Sequence, residues 1–125
     1  MKTLVTGAGG YLGRGLIVPF EGRHDLRLMD VVPFESPHEV LVGSVADLET
    51  CRKAVAGCDA MVIAHMASRQ AGSYDTPVAP FDVNVKGTAN LFFAAVEAGI
   101  RKVVLISSIG AVGYHQRKGT FLTID

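Results

Sequence analysis

A short apolar run, Leu4-Val5, leads through Thr6 into Gly7-Ala8-Gly9-Gly10-Tyr11-Leu12-Gly13, and a helical pattern follows. Nothing else in the chain restricts its folding as much. Glycine allows a backbone turn tighter than any residue with a Cβ can make. A helix starting at such a turn presents N–H groups to negative charge. Strand, glycine turn and helix in this order form a cradle for the diphosphate of a dinucleotide. Gly7 permits the exit from the strand, Gly10 lets backbone approach phosphate, and Gly13 lets the helix pack close to the sheet. The spacing is G-x-x-G-x-x-G, and its place directly after the first strand gives it force.

Asp30 ends a second apolar run, Leu26 to Val31. A carboxylate there accepts hydrogen bonds from the adenosine ribose hydroxyls and repels a 2′-phosphate. Val31-Val32-Pro33 follow, with no arginine to welcome that phosphate. NAD is therefore the expected cofactor and NADP the lesser one.

Further along, strands and helices alternate. The first helix is expected from Tyr11 to about Phe20, ended by Pro19 and Gly22. Pro33 and Pro37 mark a loop before a short strand, Glu39 to Val42. Asp47 reads as the cap of a helix from Leu48 to Ala56, closed by Gly57. Ala60 to Ala64 is apolar throughout, as a strand covered on both faces should be. Ala67 to Pro80 reads as a long loop, a length that is usually functional. Phe81 to Ala98 carries a helical apolar stripe with Gly99 as its C-cap. Lys102 to Ser107 is the fifth strand. The pattern predicts an α/β, Rossmann-type doubly wound parallel sheet in the order 3-2-1-4-5, and residues 1–125 form one domain.

Composition closes off other classes. Formal net charge is zero over 125 residues, so no basic surplus points to nucleic acid or an anionic membrane. No apolar stretch is long enough to span a bilayer, and no secretory leader is visible. Cys51 and Cys58 lack metal or redox spacing and suit buried thiols in a reducing cytoplasm. His24, His38, His65 and His115 form no ligand motif, so no metal is expected.

Thr6 to Gly13 resembles the nucleotide loop of the extended short-chain dehydrogenase/reductases, the NAD-dependent epimerase/dehydratase family. Four more segments are similar in order. Gly43-Ser44-Val45-Ala46-Asp47-Leu48 resembles the family's G-D-x-x-D-L, whose Asp-Leu pair flanks adenine, with Ser44 replacing the first Asp. His65-Met66-Ala67-Ser68 resembles H-L-A-A, whose backbone passes the cofactor. Asn84-Val85-Lys86-Gly87-Thr88 is similar to N-V-x-G-T, which would bring Asn84 near the nicotinamide side. Val104 to Gly113 resembles V-x-x-S-S-x-x-V-Y-G and carries Ile106, Ser107 and Ser108.

The resemblance implies hydride transfer at a carbinol carbon. A Tyr phenolate moves the hydroxyl proton, a Lys lowers the Tyr pKa, and a Ser orients the substrate. Ser108 aligns with that catalytic and substrate-orienting Ser, and Ser68 and Arg69 open the loop that meets substrate. Arg69 suits a substrate carboxylate. Tyr114-His115-Gln116-Arg117-Lys118 fits Tyr-x-x-x-Lys literally, but it lies between Gly113 and Gly119 and too close to Ser108 to occupy the catalytic helix. The chain therefore reads as an amino-terminal portion, truncated before the catalytic Tyr/Lys helix and substrate lobe and inactive alone. Exposed apolar surface is expected on the fifth strand and the long central helix.

Ser-Ser followed by Gly-Tyr is similar to uronate dehydrogenases. A sugar or sugar-acid oxidoreductase, or a nucleotide-sugar epimerase, is the first reading. A non-catalytic NAD(P)-binding or redox-sensing module is the alternative, and a hydroxysteroid-type reductase the third. By analogy with the family, the partners are a small sugar or alcohol substrate and a second copy in a homodimer.

Overall fold

The computed structural model describes residues 1–67, 76 and 78–108. Five strands form one parallel sheet: β1 (Lys2–Thr6), β2 (Asp25–Asp30), β3 (Glu39–Val42), β4 (Ala60–Ile63) and β5 (Lys102–Leu105). Their order is β3-β2-β1-β4-β5, as the alternating pattern predicts. The register places Val5 beside Leu28 on one side and Val62 on the other. Helices α1 (Tyr11–Phe20) and α2 (Leu48–Val55) follow β1 and β3. The long central helix comprises α3 (Ala79–Phe81), a π-turn (Asp82–Gly87) and α4 (Thr88–Glu97) without a break.

Strand alternation explains why the sheet is covered on both faces. Leu4, Met29, Met61 and Ile63 pack with Cys51, Ala54 and Val55 of α2 and Leu91, Ala94 and Ala95 of α4. Val5, Leu28 and Val62 point the other way, with Leu16, Ile17 and Phe20 of α1 packed against them. A residue's parity on its strand thus decides which helix it meets. Both cysteines are buried and free, and burial pushes the Cys51 thiol up to about 11. These thiols are core groups and unreactive.

Most boundaries agree with the sequence pattern to within two residues. α1 continues one residue beyond Pro19, and Gly22, at φ 75°, turns the chain after it. Gly57 and Gly99 adopt φ 72° and 74° after their helices, the left-handed conformation that glycine makes cheap. The central helix starts two residues earlier than expected, because Pro80 falls in its first turn, where no N–H is required. The π-turn is a feature that periodicity does not show.

Arg27 of β2 fixes the far end of α2. Its guanidinium donates to the carbonyls of Lys53, Ala54 and Ala56 at 3.2, 2.9 and 2.7 Å. It also donates to Glu39 at 2.8 Å, and Lys2 Nζ lies 2.8 Å from the same carboxylate. The last carbonyls of a helix carry partial negative charge, so a half-buried cation there stabilises it. On the helix's outer side Arg52 ties Glu97 of α4 at 2.8 Å, is bonded to Glu49, and lies over the Phe93 ring.

Replacing Arg27 by Leu keeps the packing of its stem but orphans those carbonyls. The expected loss is about 2 kcal/mol, within the range for hydrogen bonds to charged groups. Urea unfolding measures it as a lower midpoint at unchanged slope; a midpoint equal to the parent's would refute the capping role.

Candidate functional site

The turn after β1 is built from backbone contacts that exclude side chains. Gly7 has φ 67°, and a Cβ there would stand 2.5 Å from His65 Cα. A Cβ on Gly13 would stand 2.1 Å from the Gly7 carbonyl oxygen and 2.6 Å from Ala8 Cα. Gly13 therefore packs the helix onto the glycine turn itself rather than directly onto the sheet. Gly10 differs. Only the Gly7 oxygen, 3.2 Å away, lies near its Cβ direction, a tight contact but a far looser one than those at Gly7 and Gly13.

The amides of the turn are largely spent inside the chain. Ala8 N–H donates to the Met29 carbonyl at 3.1 Å, Gly9 N–H to Asp30 Oδ2 at 2.9 Å, and Gly10 N–H to the Gly7 carbonyl at 3.1 Å. Arg14 Nε donates to the Gly9 carbonyl at 2.8 Å, so the Gly9 residue is gripped by a charged side chain on each side. The next amides, those of Tyr11, Leu12 and Gly13, have no intrahelical acceptor by helix geometry. No acidic residue occupies this first turn, and the cap residue Gly10 makes no side-chain bond. The residues thus suit an anion at the start of α1, with Tyr11 almost fully exposed beside it.

Asp30, at the end of β2, is fastened to this turn. Oδ2 takes the Gly9 amide and Oδ1 the Val32 amide at 3.3 Å. An ionised carboxylate has about four acceptor positions, so capacity remains for ribose hydroxyls. Val31 and Val32 beside it are exposed.

The Gly43-to-Leu48 segment is a turn and a helix cap. Ser44 Oγ accepts from Ala46 N–H at 3.1 Å, and Asp47 Oδ2 accepts from Thr50 N–H at 3.0 Å and from the Thr50 hydroxyl. Those bonds from Thr50 hold the Asp47 carboxyl below its ordinary value. A Cβ on Gly43 would meet Thr50 Cγ2 at 2.6 Å, and one on Gly87 would meet Val45 Cγ2 at 2.4 Å. These two glycines let α2 and the π-turn close on this segment. Leu48, the first residue of α2, is half-buried.

Beyond β4 lies a polar network that sequence reasoning saw only in part. The Thr6 hydroxyl and His65 Nδ1 are 3.0 Å apart. His65 Nε2 lies 3.1 Å from the Val83 carbonyl in the π-turn and 3.5 Å from Thr88 Oγ1. Asn84 holds both polar groups of Ala67: Oδ1 accepts its N–H at 2.8 Å and Nδ2 donates to its carbonyl at 3.3 Å. The Thr88 hydroxyl donates to the Asn84 carbonyl at 2.8 Å. His65 thus turns inward, Met66 is exposed, and Asn84 spends its amide on Ala67. Thr6, Val83 and Thr88 were not singled out from sequence. A polar Thr ending an otherwise apolar strand was the one available signal for Thr6. Burial pulls the His65 pKa below its ordinary 6.5, with the Val83 carbonyl and Asp30 acting against that shift.

Past β5 the pairing with β4 continues for one residue, because Ile106 N–H donates to the Ile63 carbonyl at 3.0 Å. Ile106, Ser107 and Ser108 are exposed near the end of the strand, the edge where open parallel sheets bind ligands. Ser68, Arg69 and the Tyr114-to-Lys118 segment lie outside the described residues. No cluster of potential metal ligands occurs among the described residues, and no helix there is long and apolar enough to cross a membrane.

Two outcomes follow from this geometry. Gly13→Ala should unfold or distort the turn, whereas Gly15→Ala, with open space around its Cβ, should raise stability by about 0.5–1 kcal/mol; thermal melts of the pair check the contrast. For His65 the folded-state pKa lies below the unfolded one, so the unfolded chain takes up the proton first as pH falls. Stability from this group is complete above the ordinary histidine value, 6.5, and is lost as pH drops from there through the lowered one. Denaturation followed downward in pH from 7 should show that slope, and His65→Gln should remove it.

A family model described as the 3-beta hydroxysteroid dehydrogenase/isomerase family matches residues 4–124. Cinnamoyl-CoA reductase 1 of Petunia hybrida is 35% identical over 86% of this chain and 35% of its own length. UDP-glucose 4-epimerase of Mycolicibacterium smegmatis is 32% identical over 90% of this chain and 40% of its own. Among solved structures, uronate dehydrogenase from Agrobacterium tumefaciens in complex with NAD superposes with a TM-score of 0.75 at 31% identity, over 86% of this chain and 40% of that one. The chain thus spans well under half the length of these proteins. The chain therefore belongs to the extended short-chain dehydrogenase/reductases, the NAD-dependent epimerase/dehydratase family.

Proposed function

We propose that this chain is the NAD-holding part of a sugar or sugar-acid oxidoreductase or epimerase acting at a carbinol carbon. The observation that carries the reading is the start of α1. The first N–H groups of α1 lack helical acceptors beside a glycine turn, and the Asp30 carboxylate is fastened to the same turn. NAD when bound supplies the acceptor for a hydride from that carbon. Gly7 and Gly13 shape the turn, and Gly10 leaves room for backbone to approach the diphosphate. Tyr11 and Leu12 offer their amides. Asp30 takes the adenosine ribose and disfavours a 2′-phosphate by charge repulsion.

Asp47 and Leu48 border the adenine through the turn that Asp47 caps. His65, Met66 and Ala67, with Asn84 and the strand-end Ile106 and Ser107, form the wall toward the nicotinamide. Ser108 orients the substrate hydroxyl, and Ser68 and Arg69 contribute to substrate binding, Arg69 toward a carboxylate. Similarity to the Agrobacterium tumefaciens uronate dehydrogenase favours a sugar acid. Among the described residues no Tyr and Lys share a helix face, so the proton-transfer pair is assigned to none of them. The work assigned to the described residues is to bind, to orient and to select the cofactor.

Calorimetric titration tests this. NAD should bind, and NADP should bind at least about tenfold more weakly, a difference of about 1.4 kcal/mol. Asp30→Ala should narrow the gap. Equal affinity of the parent for both nucleotides removes the selective role given to Asp30, and no binding of either refutes the reading.

A further inference from the structure

Building on the NAD-binding reading, we propose that His65 is a positioning residue whose imidazole joins the exit of β1 to the π-turn and so holds the glycine turn in its nucleotide-binding shape. The two ring nitrogens have different partners, and those partners define the tautomer. The Val83 carbonyl, 3.1 Å from Nε2, can only accept, so Nε2 carries the hydrogen. Nδ1 is then an acceptor and takes the Thr6 hydroxyl at 3.0 Å. That hydroxyl accepts in turn from Ala64 N–H at 3.3 Å. Every polar atom along this path is satisfied by one arrangement of hydrogens.

Position gives the path its consequence. Thr6 is the last residue of β1, and Gly7, the next one, leaves no room for a Cβ against His65 Cα. Residue 65 therefore touches the β1 exit twice, by backbone at Gly7 and by ring at Thr6. Its other nitrogen reaches the π-turn, and Asn84 of that turn holds Ala67, two residues past His65. The loop of contacts closes: β1 exit, imidazole, π-turn, Asn84, Ala67 and back along the chain to His65. An apolar residue of similar size would fill the space but take the acceptor from the Thr6 hydroxyl hydrogen and remove the bond to the Val83 carbonyl together.

Asn and Gln separate the two arms, because an Asn amide reaches the position of Nδ1 and a Gln amide that of Nε2. Calorimetry with NAD should show His65→Ala weakened about tenfold or more, the scale of one or two lost hydrogen bonds. His65→Asn, which keeps the Thr6 arm, should recover most of the affinity, and His65→Gln should recover less. Amide hydrogen exchange at Gly9 and Gly10 should quicken in the same order. If His65→Ala does not fold, Thr6→Val decides the matter and should weaken NAD binding as His65→Gln does. The proposal fails if a folded His65→Ala or Thr6→Val protein binds NAD like the parent. It fails equally if affinity follows melting temperature alone, with Asn and Gln alike. A parent that binds no NAD refutes the underlying reading instead, and this inference with it.

Discussion

The close approach of Gly7 to His65 is the contact on which the rest of the site depends. β1 and β4 are neighbours in the sheet, paired from Thr3 with Ala60 to Thr6 with Ile63. As both strands end, their exits run side by side, and the chain leaving β1 must turn without touching the chain leaving β4. A side chain at position 7 would collide with backbone, which cannot move aside as a flexible side chain can. Gly13 meets the same limit one helical turn later, against the Gly7 carbonyl. Two backbone exclusions therefore place the start of α1 relative to the sheet edge.

Within that frame, charge is used sparingly. Asp30 and Arg14 hold opposite sides of Gly9, an anion on its N–H and a cation on its carbonyl. The turn's own amides are consumed by these and by backbone bonds, so the donors left to a ligand belong to the helix. Such donors cost little to keep in place, because their orientation comes from the helix and not from rotatable side chains.

Apolar side chains are exposed on the edge strand and on the central helix. Val104, Leu105 and Ile106 at the edge strand are exposed, as are Phe81, Val85, Phe92, Phe93 and Val96 on the central helix. Exposed apolar surface on these two elements is what the sequence pattern leads one to expect. The relatives described above are more than twice as long as the matched segment.

Much of this architecture was legible without coordinates. Alternating apolar strands and amphipathic helices named every strand and their order, because right-handed parallel crossovers leave few alternatives. Glycines at helix ends, Asp47 as a cap and the glycine turn are local features, and local chemistry is written in consecutive residues. Tertiary structure alone decided what each motif side chain does. His65 and Asn84 sit in recognisable motifs, yet their partners, Thr6, Val83 and Ala67, come from distant segments. A hydrogen bond between residues far apart in sequence has no period and no spacing rule; it exists only once packing has brought donor and acceptor within 3 Å or so. The sequence by itself therefore determined the sheet, the turn and the kind of ligand they suit, while the packing of the π-turn against β1 and β4 decided which residues hold that turn still.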